Sequence, residues 1–524
     1  MMGAQLPPGL LKLQNVKKVI AFNLADDPWV PVRWLDGSSD LLSLNDLFAR
    51  SAAIAGLDAA PHERVSLMRL LVCLAQAALG APNECYGWPG FGADMSTKVP
   101  AYLARADIHP HFELFGPGPR FLQVEVPARE EPVPASKLMP HLATGNNPTL
   151  FDHAGGTDRS FSPSKLALAL LTFQNFYPLY GAGHKGKGPC ADSNMAHTLL
   201  HGGNLSETIL LNALDADTIA EFYKVAGMGR PLWETGAATV AAQQSATRSY
   251  LGRLVPRHRN LWLHDDGKAF NLSNESLQYP NFEEAREPSA TVKVTLKTTG
   301  EERRLLPLRQ GRGLWRDLDS IAVLRTSRQQ TQQAPLTLQS HIHAFEKKEG
   351  HLWVGGLVTD LKAKILDTAE SSFTVPYALF KEEGRAMYEN GVAAAQTQSQ
   401  QLYGAVKNYA AGMKHESAPH EAASRHYWNT LDQESSLLLS LIGDPGLLDG
   451  KQIEAADSIW GRIVRHAARA AYDAICQRLT PRQHKAYIEG LRVLFPKPKS
   501  ATAKKKPTMK LAKAVPPEPE FSHE

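Results

Sequence analysis

The sequence predicts an α+β fold in which a large mixed α/β N-terminal domain with β-hairpins precedes a C-terminal antiparallel four-helix bundle. Two observations support the mixed domain: apolar-periodic helical segments, and alternating segments joined by tight turns, all before residue 376. A third supports the bundle, because four long amphipathic segments with short breaks follow Pro376. The predicted divisions are a flexible leader at 1–17, the mixed domain at 18–376, the bundle at 377–495 and a disordered Lys/Pro-rich tail at 496–524.

The N-terminal elements are predicted from local signals. A helix is expected at 61–79, with proline at its first position and Gly80 after its end. Residues 84–160 are rich in Pro and Gly and predict loops with one short strand at 121–126. A second buried helix is expected at 165–176.

Two hairpins follow from alternation and turn chemistry. The first joins 291–296 to 303–308 through Thr299 and Gly300, and the second joins 351–358 to 363–373 with residues 359–362 at its tip. The bundle helices are expected at 381–413, 420–441, 453–479 and 482–494, and Thr480-Pro481 is a helix-start signal for the last.

Composition excludes several classes of protein. Of the 524 residues, 43% are hydrophobic and 21% charged, which is ordinary for a globular protein. The four cysteines lie far apart, which argues against a zinc ribbon or a disulfide scaffold and suits a reducing cytoplasm. No signal peptide or membrane span is indicated.

The net charge of +4 is located in the tail. Residues 497–524 contain seven Lys and three Glu, so the remainder of the chain is formally neutral. A neutral body that binds nucleic acid must therefore use local basic patches. The tail either aids solubility or contacts DNA weakly.

The segment at 181–188, here called the glycine loop, contains four glycines and two lysines (Gly181, Gly183, Lys185, Gly186, Lys187 and Gly188). Its GxxxxGK spacing is that of a phosphate-binding P-loop, but Gly188 stands where that motif needs a Ser or Thr for magnesium. The preceding segment is also too long for the required strand. Two interpretations remain: a surface turn between helices, or a basic, backbone-rich loop that contacts a phosphate-bearing polymer.

Candidate catalytic groups are sparse. His264, Asp265 and Asp266 could suggest a metal-nuclease site, but Asp266-Gly267 is also a hairpin-turn signal. His341 and His343 alternate with Ile342, as two residues on one strand face would, yet no neighbouring carboxylate or cysteine completes a metal site.

Basic residues on loop tips are more informative. Lys185 and Lys187 lie on the glycine loop, Lys268 follows the turn at 264–267, and Lys362 and Lys364 flank the tip of the second hairpin. Cations at the ends of rigid elements are typical of a groove that binds a nucleic-acid backbone.

Four stretches of the sequence together resemble the CasA family, whose members are the large subunit of the type I-E CRISPR Cascade complex. The similarity covers about residues 20–495 and depends on four stretches: the Asp-Pro-Trp string at 27–32, the Gly-Asn-Asn…Leu-Phe-Asp-His string at 145–153, the glycine loop, and residues 355–366.

The resemblance implies a non-catalytic subunit that finds the protospacer-adjacent motif (PAM) in duplex DNA, starts strand separation and presents the complex to a helicase–nuclease. Some members of the family have a cysteine zinc cluster, but this chain lacks those cysteines, so no metal or cofactor is expected. It implies that the glycine loop and Lys268 approach the PAM from the minor groove. It also implies that Lys362 and Ala363 form a wedge, and that a guide-RNA-end docking segment contains Phe151, Asp152 and His153.

The family's best-known wedge carries a glutamine where Lys362 stands, with one extra residue in the turn here. A lysine can bind phosphate but cannot form an amide-like contact with a base. Two alternatives stay open: a stand-alone metal-dependent nuclease using residues 264–266 with His341 and His343, and a purely structural subunit that bridges protein partners.

Overall fold

The structure is a computed structural model. It describes residues 21–83, 88–128, 131–139, 159–177, 188–237, 239–277, 279–280, 282–298, 300–324, 333–346, 349–361, 365–415 and 417–496. The helices in this part of the chain are α1 (Leu44–Ala49), α2 (Pro61–Leu79), α3 (Trp88–Leu103), α4 (Pro163–Phe176), α5 (Leu205–Leu211), α6 (Ala216–Phe222), α7 (Leu232–Thr235), α8 (Val240–Ala246), α9 (Tyr250–Leu254), α10 (Leu318–Ile321), α11 (Leu336–His341), α12 (Glu382–Met413), α13 (His420–Gly443), α14 (Ile459–Ile475) and α15 (Pro481–Leu494).

The strands form small antiparallel sheets. They are β1 (Val30–Trp34), β2 (Ser39–Leu42), β3 (Ile54–Leu57), β4 (Val133–Pro134), β5 (His197–His201), β6 (Arg259–Leu263), β7 (Ala269–Ser276), β8 (Val292–Lys297), β9 (Gly300–Leu305), β10 (Gly350–Thr359) and β11 (Ile365–Val375). Their orders are β2-β1-β3, β11-β10-β5, β4-β7-β6 and the two-stranded β8-β9. The predicted α+β class is therefore confirmed, and both predicted hairpins occur, as β8-β9 and β10-β11.

The first hydrophobic core surrounds α2, whose bounds match the prediction. Pro61 occupies the first turn, and the Glu63 carboxylate accepts a hydrogen bond from the Ala60 amide. Almost every side chain from Val65 to Gln76 is buried, because α3, α4 and α9 pack around the helix. Gly80 ends it with φ +82°, a conformation that favours glycine.

Two sequence-based predictions in this domain are wrong. Residues 84–160 were expected to be loops, but they contain α3. Pro89 stands in its first turn, where proline is tolerated, and the apolar residues Trp88, Phe91, Met95 and Val99 share its buried face. Residues 121–126 form no strand, because Leu122 adopts φ +52°, which interrupts an extended backbone.

The C-terminal helices α12 to α15 form the predicted antiparallel bundle. The third, expected at 453–479, is shorter: α14 begins at Ile459, where the Ser458 side chain caps it by accepting from the Gly461 amide, and it ends at Ile475. Gln398 of α12 donates to the Leu494 carbonyl, and Arg482 donates to the Gly412 carbonyl, so α12 and α15 run in opposite directions. Gly384 of α12 lies beside Ile442, whereas Tyr427 donates to the Ala395 carbonyl further along, so α12 and α13 are antiparallel too.

The bundle core continues into the part of the chain that precedes α12. Trp315, on a 3-10 turn at Leu314–Asp317, is buried against Trp428 and Trp460, with ring centroids 6.3 and 6.0 Å away. Its indole N–H donates to Asp432 at 2.6 Å, and its carbonyl accepts from Tyr388 at 2.7 Å. Trp315 thus fixes the bundle to the rest of the protein.

Candidate nucleic-acid interface

At the base of the glycine loop, the residues just before it and just after it are hydrogen-bonded to each other at the C-terminus of α4. The Gly188 amide donates to the Tyr177 carbonyl at 3.0 Å, and the Cys190 amide donates to the Asn175 carbonyl at 3.0 Å. The two described segments that flank residues 178–187 are therefore held against each other. Of the residues predicted to contact DNA in this loop, Gly188 is described, and Gly181, Gly183, Lys185, Gly186 and Lys187 lie outside the described residues.

Position 188 requires glycine because there is no room for a side chain, and not because its backbone torsion angles exclude other residues. A Cβ atom at this position would lie 2.3 Å from the Asn175 carbonyl oxygen and 2.9 Å from the Phe176 nitrogen. Both are backbone atoms of α4, which cannot move without disturbing the helix. The base of the loop is therefore fixed by close backbone approach.

The chain that follows Gly188 ties this point to the second hairpin. The Asn194 side chain accepts hydrogen bonds from the Thr359 amide at 3.1 Å and hydroxyl at 2.8 Å, and donates to the Thr359 carbonyl at 2.9 Å. Six residues span at most about 20 Å, so the bases of the glycine loop and of the hairpin tip lie within that distance. The predicted wedge residues Lys362 and Ala363 lie outside the described residues.

Lys268 lies at the other end of α4. It follows a turn in which Gly267, with φ +68°, packs against α4: a Cβ atom added at Gly267 would lie 3.1 Å from Leu166 Cδ1. The Lys268 amide donates to Asp266 at 3.0 Å, and its side chain is exposed and makes no ion pair with any described residue. Leu166 and Phe176 are ten residues apart on one helix, about 15 Å. The bases of all three predicted elements are therefore connected through α4 and residues 188–194.

A buried polar network lies under the loop base. Glu287 forms ion pairs with Arg69 and, at 3.5 Å, with Arg253. His197 bonds to the Ser289 hydroxyl at 2.8 Å through Nδ1 and to the Cys190 carbonyl at 3.2 Å through Nε2. Burial lowers the pKa of His197 to about 4. Glu287 keeps a lowered pKa despite burial, because the two arginines attract its charged form.

Ligand-type atoms of Cys190, His197 and Glu287 lie within 4.8 Å of one another, and they form the one such group of three in the part of the chain that the structure describes. Burial raises the pKa of the Cys190 thiol to about 12, so it is protonated at neutral pH. Two guanidinium groups already neutralise Glu287, and both His197 nitrogens are bonded. The set therefore fits a structural network better than a cation site.

The residues of the nuclease alternative do not converge. Asp265 pairs with the Arg120 guanidinium at 2.8 Å, and His264 bonds to Asn271 at 3.3 Å. His341 is buried with its Nε2 bonded to the Ala213 carbonyl, and His343 pairs with Glu346. The prediction of one strand face for His341 and His343 is wrong, because they lie at the end of α11 and on the 3-10 turn that follows.

Sequence reasoning missed the residues that anchor the hairpin tip. Asn194 and Thr359 give no sequence signal beyond the turn preference of Asn, and Leu361 is an apolar residue in an otherwise polar turn.

The docking segment Phe151, Asp152 and His153 lies outside the described residues. A cavity of about 1200 Å³ between β11 and α13 is lined by none of the predicted site residues. None of the described helices combines the length and apolarity needed to cross a membrane.

Comparisons with known proteins agree with one another. The family model of the CRISPR-associated protein Cse1 matches residues 23–471. The CRISPR-associated protein CasA/Cse1 of Thermus thermophilus is 28% identical over 487 residues, which is 86% of this chain and 92% of that protein. The structure of Thermus thermophilus CasA (Cse1) superposes with a TM-score of 0.72 at 22% identity, covering 90% of this chain and 98% of the other. A chain of a CRISPR RNA-guided surveillance complex superposes with a TM-score of 0.65 at 18% identity, and the match covers 91% of this chain and 99% of the other. The chain belongs to the Cse1 (CasA) family of CRISPR-associated proteins.

Proposed function

We propose that this chain is the DNA-recognition subunit of a CRISPR RNA-guided surveillance complex. It recognises the PAM in duplex DNA from the minor groove, promotes strand opening and recruits a helicase–nuclease, without catalysing a reaction itself. Membership of the Cse1 family supports this assignment, as does the similarity to a chain of a CRISPR RNA-guided surveillance complex. Its partners are double-stranded target DNA, the guide RNA and the other Cascade subunits.

One observation supports the DNA-binding role most directly: the bases of three separate predicted elements are held together by α4 and by residues 188–194. The Tyr177–Gly188 and Asn194–Thr359 hydrogen bonds fix two of them, and the contact of Gly267 with Leu166 fixes the third. Loops that start from one rigid region can contact one short duplex segment together.

The chemistry of each element suits a different part of that segment. The minor groove presents a degenerate pattern of acceptors, so close-fitting glycine backbone would tolerate several related PAM sequences. An exposed lysine such as Lys268 gains affinity from phosphate without reading sequence. Base pairing with the guide RNA then supplies specificity. Phe151, Asp152 and His153 would dock the subunit on the guide-RNA end of the complex.

The experiment is a binding titration of the reconstituted complex with duplexes that differ only in the PAM, at several salt concentrations. We expect Lys268→Ala to weaken binding to all duplexes and to reduce the slope of log K against log salt by about one unit. We expect Gly183→Val to abolish PAM discrimination instead. Lys224→Ala, which changes another exposed lysine of the predicted mixed domain, is the matched control.

The outcomes separate this function from its alternatives. A purely bridging subunit predicts no loss of DNA affinity when the three basic tips (the glycine-loop lysines, Lys268 and Lys362) are neutralised. A metal-dependent nuclease predicts cleavage of DNA by the purified chain with manganese, lost in Asp265→Asn. Unchanged PAM preference in Gly183→Val would contradict the role of the glycine loop.

A further inference from the structure

His197 lies where the chain that follows the glycine loop meets α4 and a sheet. It is the first residue of β5 and is fully buried, and its ring contacts the ring of Phe176, the last residue of α4, with centroids 5.5 Å apart. Its backbone pairs with Gly355 of β10 and also forms a bridge with Ala290. The imidazole of His197 therefore extends from a backbone that is fixed by two other segments.

The two ring nitrogens of His197 make different hydrogen bonds. Nε2 bonds to the Cys190 carbonyl at 3.2 Å, and because a carbonyl oxygen can only accept, Nε2 carries the proton. Nδ1 then accepts from the Ser289 hydroxyl at 2.8 Å. Burial lowers the pKa of His197 to about 4, so the ring is neutral and keeps this tautomer at neutral pH.

Both backbone groups of Cys190 are held in place. Its amide donates to the Asn175 carbonyl of α4 at 3.0 Å, and its carbonyl accepts from His197. Gly188, two residues earlier, is the last residue of the glycine loop, and its carbonyl accepts from the Ala191 amide at 3.1 Å. The turn at 188–191 therefore connects the end of the glycine loop to His197.

Packing alone does not explain a histidine at this position. Burying an imidazole removes two polar nitrogens from water, which an aliphatic side chain of similar size would not do. What the imidazole adds is a fixed direction for the Cys190 carbonyl, because a buried polar network with every member bonded makes the local structure rigid. Binding sites need such support, since their groups must be held to within about 0.5 Å.

We propose that His197 is a positioning residue for PAM discrimination: its Nε2–H fixes the Cys190 carbonyl and, through the turn at 188–191, the end of the glycine loop. This inference rests on the proposed function and extends it to a residue that does not itself contact DNA. Recognition by backbone in the minor groove depends on close fit, whereas general affinity for duplex DNA comes from phosphate contacts. A displaced loop end should therefore reduce discrimination between duplexes more than it reduces affinity for all of them.

The test compares substitutions that separate the two hydrogen bonds of His197. His197→Gln places its amide close to the position of Nε2 and can still donate to the Cys190 carbonyl. The shorter His197→Asn places its amide near the position of Nδ1, within reach of Ser289 only. Both lose the ring contact with Phe176, so both should lower the free energy of unfolding by a similar amount. His197→Phe keeps a ring but neither bond, and it replaces His197→Asn if that variant does not fold.

His341→Asn is the matched control for the loss of a buried histidine. His341 is buried, its Nε2 bonds to the Ala213 carbonyl at 3.0 Å, and burial lowers its pKa to about 4, as for His197. This bond leads to the chain that follows α5, and not to α4 or to residues 188–194. The control should therefore destabilise the protein without changing PAM discrimination.

Binding titrations of the reconstituted complex give the ratio of the Kd values for duplexes without and with the PAM, and urea unfolding of the chain gives its stability. We expect His197→Asn and His197→Phe to reduce this ratio about tenfold, which corresponds to the loss of one buried hydrogen bond of about 1.4 kcal/mol. His197→Gln and His341→Asn should keep the ratio within about threefold of wild type, although both are destabilised.

Three results would overturn the inference. The first is a wild-type ratio in His197→Asn and His197→Phe, and the second is an equal loss in His197→Gln, which would show that the bond to Cys190 is not the cause. The third is an equal loss in His341→Asn, which would assign the effect to stability alone. A wild-type complex that binds both duplexes equally would instead refute the proposed function, so the two failures are distinguishable.

Discussion

Replacing Gly188 with alanine should open the base of the glycine loop. The added Cβ would lie 2.3 Å from the Asn175 carbonyl oxygen, so the chain at residue 188 must move by about 1 Å to reach an ordinary contact. The hydrogen bonds from Gly188 to Tyr177 and from Cys190 to Asn175 connect the same two segments, and both would lengthen. Each is worth about 1 kcal/mol, so we expect a loss of about 2 kcal/mol in the free energy of unfolding.

The assay is urea unfolding followed by tryptophan fluorescence. Gly118→Ala is the control, because an added Cβ there meets no atom within 4 Å and Gly118 is an exposed loop residue. In the reconstituted complex, Gly188→Ala should also reduce PAM discrimination, since the loop would start from a displaced base. A stability within about 0.5 kcal/mol of wild type would refute the close-approach reasoning at Gly188.

Two further predictions concern the interior. Burial lowers the pKa of both His197 and His341 to about 4, so the unfolded chain binds more protons than the folded one between about pH 6.5 and 4. Stability should therefore fall as pH is lowered from 7 to 5, by about 2 kcal/mol for each histidine in urea titrations, and a pH-independent midpoint would contradict it. Trp315→Phe should keep most of the ring packing but lose the bond to the Asp432 carboxylate, lowering the free energy of unfolding by about 2 kcal/mol. Asp432→Asn, which can still accept a hydrogen bond, should lose less, and an equal loss would count against this bond.

Local signals were sufficient for much of the fold. Helix α2 begins and ends where Pro61 and Gly80 place it, and the hairpins follow from alternation because side chains on a strand alternate between two faces. Where local signals conflicted, prediction failed. Proline and glycine concealed α3, whose helical form depends on burying Trp88 and Phe91 against neighbouring elements.

The candidate site shows the same division. The sequence by itself identified the residues that are proposed to contact DNA: a glycine–lysine loop, Lys268 and two lysines at a hairpin tip, each recognisable from residue type and spacing. Only the tertiary structure decided that α4 and residues 188–194 connect the bases of these segments, because hydrogen bonds such as Thr359 to Asn194 join residues far apart in the chain. It also decided that Leu361 is exposed and left-handed, since backbone torsion and exposure are set by the surrounding packing and not by residue type.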